Sequence, residues 1–342
     1  MKKRWFKTLM AQVTSFFRSL HMKSALRSAY EKLAPVGSWR YRLTRGLIHG
    51  IRRQLRLSDI HYRQWIACCD TLDETDLQRF QEQLSELELT PTISILMPVY
   101  NPTLDYLDEA IQSVRNQVYP HWELCIADDA STQSGVHALI QSQIESDARI
   151  KVIFREQNGH ISAASNSALA LATGAYVALL DHDDRLHPLA ILRVVQAINK
   201  NPQCEVIYSD EDKLTAKGKR IDPYYKSDFD YDLLLGQNMI SHLGVYRTET
   251  VREVGGFRLS YEGSQDYDLV LRVIEKVNPH QIIHIPKVLY HWRISEQSVA
   301  TNIGMKPYAL DAGAHALRDH LKREKITASV ETFRNFGYRI YY

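Results

Sequence analysis

Apolar residues in the middle of the chain follow two alternating periods. Short apolar-rich runs of strand length are separated by segments in which apolar residues recur every three or four positions. The first pattern predicts buried β-strands, and the second predicts amphipathic helices. The predicted strands here are Ile93–Val99, Trp122–Ala127, Ile150–Phe154 and Ala175–Leu180, and the predicted helices are Leu104–Asn116, Ser162–Ala172 and one from Pro188 onward. Strands that alternate with helices predict right-handed crossovers and a mostly parallel, Rossmann-like sheet flanked by helices.

The pattern is less regular beyond residue 205. Further strands are predicted at Glu205–Ser209, Leu243–Arg247, Ile282–Ile285 and Gly337–Tyr342, and further helices at Asp266–Val277 and Met305–Arg323. Thr90-Pro91 closes an earlier helical region and is a plausible boundary. The chain therefore divides into a basic helical segment (1–56), a helical linker region (57–90), an α/β domain (91–304) and a C-terminal helix with a terminal strand (305–342).

The N-terminal segment carries most of the basic excess of the protein. Residues 1–56 contain 14 Lys or Arg and one acidic residue, Glu31, whereas the rest contains 28 basic and 39 acidic residues. Phe6, Met10, Val13 and Phe17 lie on one helical face flanked by basic residues. This pattern suits a helix lying in an anionic membrane surface, and it equally suits a helix docked on the body of the protein or on a partner. No nucleic-acid-binding motif accompanies the charge, so we expect no nucleic acid partner.

Composition and cysteine usage indicate a cytoplasmic protein. No stretch reaches the roughly 18 apolar residues that a spanning helix needs. Polar residues interrupt the apolar part of the N-terminus, and no small-residue cleavage site follows, so a secretory signal peptide is not predicted. The four cysteines show no CxxC spacing and read as reduced structural thiols. We therefore expect a cytoplasmic protein attached peripherally to the inner (plasma) membrane.

The most informative chemistry is Asp181-His182-Asp183-Asp184, directly after the apolar run Ala175–Leu180. In an open α/β sheet, ligands bind at the carboxyl ends of the strands. Carboxylates crowded there repel one another unless a cation joins them, and their hard oxygen ligands suit Mg²⁺ or Mn²⁺. We predict a divalent cation site that binds a diphosphate, with Asp184 instead capping the next helix.

Two other acidic groups follow strand-like runs. They are Asp128-Asp129 and the acidic run Asp210–Asp212, and both are expected to form turns at the same sheet edge. Neither a GxxxxGK[ST] nor a GxGxxG motif is present, which argues against a P-loop or a dinucleotide-binding turn.

Five motifs in order make the sequence resemble a family 2 glycosyltransferase of the GT-A fold, and in particular the bacterial enzymes of O-antigen and surface-polysaccharide synthesis. The motifs are Ile93–Asn101 with its PxYN turn, the DDxS element Cys125–Ser131, Asn158-Gly159 with Ala163–Asn166, the DxD motif Asp181–Asp183, and Gly255–Phe257 with Gln265–Leu269. The likeness runs from about Pro91 to Thr301. It departs from the family pattern at Ser165, where Arg is usual, and at Gln265, where Glu is commoner.

The resemblance implies a role for each motif in the 91–304 catalytic domain. Asp266 is the implied general base, and Asp183, Asp181 and His291 are the implied ligands of Mn²⁺ or Mg²⁺. Tyr100 is the implied platform for the nucleobase, and Arg293 is the implied phosphate contact, on a loop with His291 that orders over the donor. The implied nucleotide-sugar contacts are Pro98, Tyr100, Asn101, Asp128, Asp129, Asn166, Asp181, His182 and Arg293.

The resemblance further implies an inverting, metal-dependent transfer of a hexosyl or deoxyhexosyl group from a nucleotide-diphosphate sugar. UDP is the favoured nucleotide, with dTDP and GDP as alternatives. The implied acceptor is a glycan or a glycan on a polyprenyl diphosphate. The chain ends after a strand beyond which relatives often carry a second transferase module, so we expect one donor site.

Two other functions stay open at this stage. A sugar nucleotidyltransferase would use a similar sheet, but it would need a glycine-rich basic loop where this chain has Pro98–Pro102. A catalytically silent glycan-binding or scaffold subunit is compatible with the departures at Ser165 and Gln265.

Overall fold

A computed structural model describes residues 57–294, 307–333 and 337–342. The predictions for residues 1–56 lie outside the described residues. The chain divides into two compact units, Met1–Trp65 and Ile66–Tyr342, and the sheet and the candidate site belong to the second. Within the described ranges, no helix combines the length and the apolar content needed to cross a bilayer.

The second unit is a mixed α/β structure. Its strands are β1 (Ile93–Val99), β2 (Trp122–Asp128), β3 (Ile150–Phe154), β4 (Tyr176–Leu179), β5 (Arg185–Leu186), β6 (Val206–Leu214), β7 (Arg220–Tyr224), β8 (Gly244–Arg247), β9 (Ile282–Arg293), β10 (Ser329–Phe333) and β11 (Gly337–Tyr341). The helices of the described residues are α1 (Leu57–Cys69, which begins in the first unit), α2 (Glu74–Ser85), α3 (Leu104–Arg115), α4 (Val136–Ser146), α5 (His160–Leu171), α6 (Ala190–Lys200), α7 (Tyr231–Gly236), α8 (Thr248–Glu253), α9 (Gln265–Ile274) and α10 (Pro307–Arg323).

One large sheet has the order β3-β2-β1-β4-β8-β6-β9-β5, with β7 paired to β6. The first four strands are parallel, as the regular alternation of strands and helices predicts. β8 runs antiparallel to both of its neighbours, β4 and β6. The α/β fold class is confirmed, and the second half of the sheet is mixed rather than parallel. β10 and β11 form a separate antiparallel hairpin.

Side chains of the central strands fill two cores, one on each face of the sheet. Ile95 and Met97 of β1 pack in one core, whereas Leu96 packs in the other. This alternation follows from the two-residue period of a strand. Because helices cover both faces, these strands have near-continuous apolar sequences, which explains why they were predicted from the sequence.

Two segments differ from the prediction. The acidic run Asp210–Asp212 lies inside strand β6 and is buried, rather than forming a turn after it. His291 and Arg293 are the last residues of β9, which extends well beyond the predicted Ile282–Ile285, so they do not lie on a loop. Asp212 pairs with Arg220, Glu211 pairs with Lys226, and Asp210 lies 2.9 Å from His284 Nε2, so each buried acid has a polar partner that makes its burial tolerable.

A buried polar cluster fastens β1 and β2 to the turn before β4. Glu123 accepts hydrogen bonds from Ser94 Oγ at 2.7 Å, from Thr173 N at 2.6 Å and from Lys151 Nζ at 2.6 Å. Burial alone would raise the pKa of Glu123, but these bonds lower it from 4.5 to about 2. Gly174 completes the turn, because a Cβ there would lie 2.4 Å from the Thr92 carbonyl oxygen.

We expect Glu123→Gln to lower the free energy of unfolding by about 1 to 2 kcal/mol at neutral pH, because it removes charged hydrogen bonds while the partly exposed Lys151 keeps part of its hydration. The pKa of Glu123 is lower in the folded protein, so its contribution is complete above pH 4.5 and declines as the pH falls toward about 2. Urea unfolding across this pH range measures the difference, with the exposed Glu156→Gln as control. A constant difference between wild type and Glu123→Gln down to pH 2 would contradict the assignment.

Candidate functional site

The carboxyl ends of β1, β2 and β4 and the start of β8 meet at one edge of the sheet. Val99 lies opposite Asp128, and Leu96 lies opposite Leu179, so the residues that follow these strands are neighbours. Because β8 is antiparallel to β4, the residues before β8 reach the same edge. This edge collects most of the acidic residues singled out in the sequence.

The turn Asp181–Asp184 is fixed by the end of β9. Asp184 accepts hydrogen bonds from Tyr290 Oη at 2.5 Å and from Arg293 N at 2.6 Å, so the prediction that Asp184 caps the next helix is wrong. Arg293 Nε donates to the Asp183 carbonyl at 2.6 Å, and Asp181 N donates to Tyr290 Oη at 3.2 Å. These bonds hold the acidic turn in one conformation.

Burial and like charge both act on the carboxylates of this turn. Burial, with the negative charges of Asp183 and Asp181, raises the pKa of Asp184 well above its ordinary value. Burial also raises the pKa of Asp181, and the neighbouring His242 opposes that shift. Carboxylates in this situation are stabilised by a cation.

Asp181, Asp184 and His242 form a group that could hold such a cation. One ligand atom from each lies within 4.8 Å of the others. The His242 ring stacks on the Tyr290 ring at 4.5 Å with an interplanar angle of 11°. Two carboxylates and one imidazole fit Mn²⁺ and similar divalent ions. Asp183 is half-buried in the same turn but is outside this group.

His291 and Arg293 have other contacts. His291 is buried, and its Nδ1 lies 2.6 Å from Asp212 Oδ1, whereas the histidine beside Asp181 and Asp184 is His242. Arg293 is fully buried, and besides the acidic turn it binds Glu109. Its Nη1 is a buried donor without a partner among the described residues. In this arrangement Arg293 orients the acidic turn.

Asp266 lies in the first turn of α9 and faces the same group. Its Oδ2 accepts a hydrogen bond from Asn238 Nδ2 at 2.7 Å. Burial raises the pKa of Asp266, whereas the charge of His242 and the hydrogen bond from Asn238 lower it. The nearby Asp268 is different, because it forms ion pairs with Arg258 and Arg272 inside the protein. Asp266 is therefore the carboxylate of this helix that is available for chemistry.

Tyr100 and Asp128 lie at the ends of β1 and β2. The Tyr100 ring is 47% exposed, so its face is accessible to a flat ligand. Asp128 Oδ1 is a buried acceptor without a hydrogen-bond partner among the described residues. Asp129, in contrast, binds Arg155 Nε at 2.7 Å and Gly159 N at 3.0 Å. Of this pair, Asp128 is the carboxylate with free acceptor capacity.

Three other predicted contact residues hold loops at this edge. The Asn101 side chain accepts hydrogen bonds from Thr132 N and Gln133 N. Asn166 bonds both main-chain polar groups of Phe257. His182 Nδ1 lies 3.1 Å from the Pro98 carbonyl oxygen, which joins the acidic turn to the PxYN turn. The Asn101 and Asn166 amides and Nδ1 of His182 are engaged within the protein, so we interpret these residues as supports of the site.

Sequence reasoning missed His242 and Asn238. Both lie in the segment before β8, and neither belongs to a recognised motif. The available signal was the predicted strand Leu243–Arg247 directly after His242. That signal places His242 at the acidic edge of the sheet only if the strand runs antiparallel to β4. The apolar pattern of a strand does not reveal its direction.

Comparison with known proteins agrees with this geometry. Residues 94–255 match the family described as Glycosyl transferase family 2. The O-antigen biosynthesis protein RfbC of Myxococcus xanthus is 34% identical over 276 residues, which cover 81% of this chain and 22% of that protein. The uncharacterized protein y4gI of Sinorhizobium fredii is 51% identical over 245 residues, 72% of this chain and 27% of that protein. The chain thus spans about a quarter of the length of these two relatives.

Among solved structures, TarS 1–349 of S. aureus in complex with UDP superposes with a TM-score of 0.50 at 20% identity. The match covers 68% of this chain and 72% of that one, and it establishes the fold alone. Residues 94–255 therefore belong to glycosyl transferase family 2, in a chain that has the GT-A fold and resembles the enzymes of bacterial surface-polysaccharide biosynthesis.

Proposed function

We propose that this protein is an inverting, metal-dependent glycosyltransferase. It transfers a hexosyl or deoxyhexosyl group from a nucleotide-diphosphate sugar to a glycan, or to a glycan on a lipid diphosphate, in surface-polysaccharide synthesis. The observation that carries the proposal is the group of Asp181, Asp184 and His242 beside the half-buried carboxylate of Asp266. A metal-capable group and a separate carboxylate at one sheet edge are the two parts that this reaction needs.

Asp181, Asp184 and His242 are the residues that would hold a Mn²⁺ or Mg²⁺ ion, with Asp183 in the same turn as a further ligand. When bound, such an ion supplies charge neutralisation for the nucleoside diphosphate that leaves. Burial and the mutual repulsion of these carboxylates raise the pKa of Asp181 and of Asp184, and this supports the assignment because a cation would neutralise the crowded charge.

Tyr100 and Asp128 are the proposed nucleotide contacts. The exposed Tyr100 ring offers a stacking face for a nucleobase. The free Asp128 Oδ1 can accept a hydrogen bond from a base N–H or a ribose hydroxyl. We favour UDP among the nucleotides, with dTDP and GDP as alternatives. The UDP bound to TarS, a protein of the same fold, supports this preference.

Asp266 is the proposed general base. Its carboxylate would take the proton of the acceptor hydroxyl as that oxygen attacks the anomeric carbon, a single displacement that inverts the configuration. Asn238, which donates to one carboxylate oxygen at 2.7 Å, would hold the carboxylate in its working orientation. The silent-subunit alternative lacks such support, because a scaffold has no need of a carboxylate beside a group of possible metal ligands.

We expect Asp266→Asn to lower the rate of sugar transfer by roughly 10²- to 10⁴-fold and to leave the donor affinity unchanged, because the amide cannot accept the proton. Single-turnover kinetics with a radiolabelled donor, alongside calorimetric titration of the nucleotide, separate the two quantities. Asp232→Asn is the matched control, since Asp232 is an exposed carboxylate in the first turn of α7. Full transfer by Asp266→Asn, or no nucleotide affinity in the wild type, would favour the silent subunit.

We expect Mn²⁺ to raise the melting temperature of the wild type. At a Mn²⁺ concentration of 100 Kd, binding should stabilise the folded protein by about 2.7 kcal/mol. Asp181→Asn and His242→Ala should lose most of this shift, and a chelator should abolish both the shift and the transfer of sugar. The exposed His280→Ala should behave as the wild type. An unchanged Mn²⁺ response in Asp181→Asn would remove that residue from the proposed site.

We also propose that the basic segment 1–56 attaches the protein to the anionic inner leaflet of the membrane, where a lipid-linked acceptor lies. The full chain should sediment with vesicles containing phosphatidylglycerol and remain free of pure phosphatidylcholine vesicles. Charge reversal at Lys2, Lys3 and Arg4 should weaken this binding at least roughly 100-fold, at about 1 kcal/mol for each lost basic charge. Equal binding to both kinds of vesicle, or to neither, would favour a protein partner for this segment.

A further inference from the structure

The acidic run Asp210–Asp212 is a motif that the proposed reaction does not use. All three side chains are buried within strand β6. Asp210 Oδ1 accepts a hydrogen bond from Lys226 N and lies 2.9 Å from His284 Nε2. Asp212 contacts Arg220 and His291, each at 2.6 Å. These two acids join β6 to β9 and to the segment from β7 to Lys226, and the middle acid of the run has different partners.

Glu211 forms an ion pair with Lys226 inside the protein. The Lys226 side chain has no exposed surface, and its Nζ lies 3.2 Å from Glu211 Oε2. The same ammonium donates to the carbonyl oxygens of Ile240, at 2.7 Å, and of His242. An ammonium has three donors, and here one carboxylate and two carbonyls accept from it, so its hydrogen-bonding capacity is used.

The other end of the pair also binds His242. Glu211 Oε2 accepts a hydrogen bond from His242 N at 3.1 Å. Both main-chain polar groups of His242 are therefore bound by one buried ion pair. The ring of His242 extends from this anchored backbone and stacks on Tyr290, whose hydroxyl binds Asp184.

We propose that Lys226 and Glu211 are positioning residues that place the His242 imidazole beside Asp181 and Asp184. We call this pair the clamp. The role of the placed imidazole as a metal ligand rests on the proposed function, whereas the placement itself does not. The backbone before β8 has no regular secondary structure to orient it, and the clamp supplies two fixed anchoring points. Through Glu211, the acidic run thereby helps to position a residue of the site, although the run itself is buried in the sheet.

The first test measures Mn²⁺ affinity. Lys226→Met with Glu211→Gln removes both charges while keeping side-chain volume, which avoids an unpaired buried charge. This clamp variant should weaken Mn²⁺ binding by roughly 10- to 100-fold in calorimetry, the range seen when a residue that orients a ligand is lost. His242→Ala should weaken binding at least as much. The triple variant, in which His242→Ala is added to the clamp variant, should bind Mn²⁺ with the same affinity as His242→Ala alone, because the clamp acts through His242.

The second test needs no metal. The Tyr290 ring should shift the ring-proton resonances of His242 away from solution values in the NMR spectrum of the metal-free protein. The clamp variant should move these resonances toward solution values. This measurement distinguishes the two proposals. If the wild type binds no Mn²⁺, but its His242 resonances are shifted and the clamp variant loses that shift, the result contradicts the metal site and supports the clamp.

Controls and a second variant keep the tests decisive. Lys213→Met removes the partly exposed pair between Lys213 and Asp222 near the end of the same strand, and should change neither Mn²⁺ affinity nor the His242 resonances. If the clamp variant does not fold, Glu211→Gln alone should give a smaller change in the same direction, since Asp210 still faces Lys226. Unchanged His242 resonances in a folded clamp variant, or losses of Mn²⁺ affinity that multiply with His242→Ala, would overturn the proposal.

Discussion

The crowding of carboxylates at the end of β4 is the constraint on which the site depends. Asp181, Asp183 and Asp184 lie within one turn, and burial raises the pKa of the first and last of them. Hydrogen bonds from β9 stabilise part of this cluster, because the Tyr290 hydroxyl and the Arg293 main-chain N–H donate to Asp184. The other carboxylates of the turn lie near His242 and the Asp266 carboxylate. A divalent cation bound there would relieve the repulsion between these carboxylates.

In each pair of neighbouring acids at this edge, one acid is held by arginine and the other keeps acceptor capacity. Asp129 binds Arg155 while Asp128 keeps a free oxygen. Asp268 pairs with two arginines, whereas Asp266 accepts a hydrogen bond from the Asn238 amide and lies near His242. In each pair, the acid with an arginine partner fixes the backbone, and the other carboxylate keeps acceptor capacity for a ligand or a proton. Sequence motifs that contain two acids cannot show which member takes which task, because the arginines come from elsewhere in the chain.

The sequence predicted the first half of the sheet and the family correctly, and it failed where distant partners decide the structure. Strands β1, β2 and β4 are apolar on both faces, so local pattern alone identifies them. The run Asp210–Asp212 has the composition of a solvated turn, yet it is a buried strand because Lys226, Arg220 and His284 supply opposite charges or donors. The resemblance to the family implied a loop for His291 and Arg293, but the pairing of β9 with β6 extends the strand beyond its apolar part to include both residues.

What the sequence by itself determined is the set of strand ends that carry the acidic residues, because periodicity and the position of acids after apolar runs are local properties. The assignment of Asp266 to the start of a helix has the same origin. Only the tertiary structure decided that His242, and not His291, joins the acidic group, because this depends on β8 running antiparallel to β4. Strand direction is set by how the whole chain packs, and no pattern within a single strand encodes it.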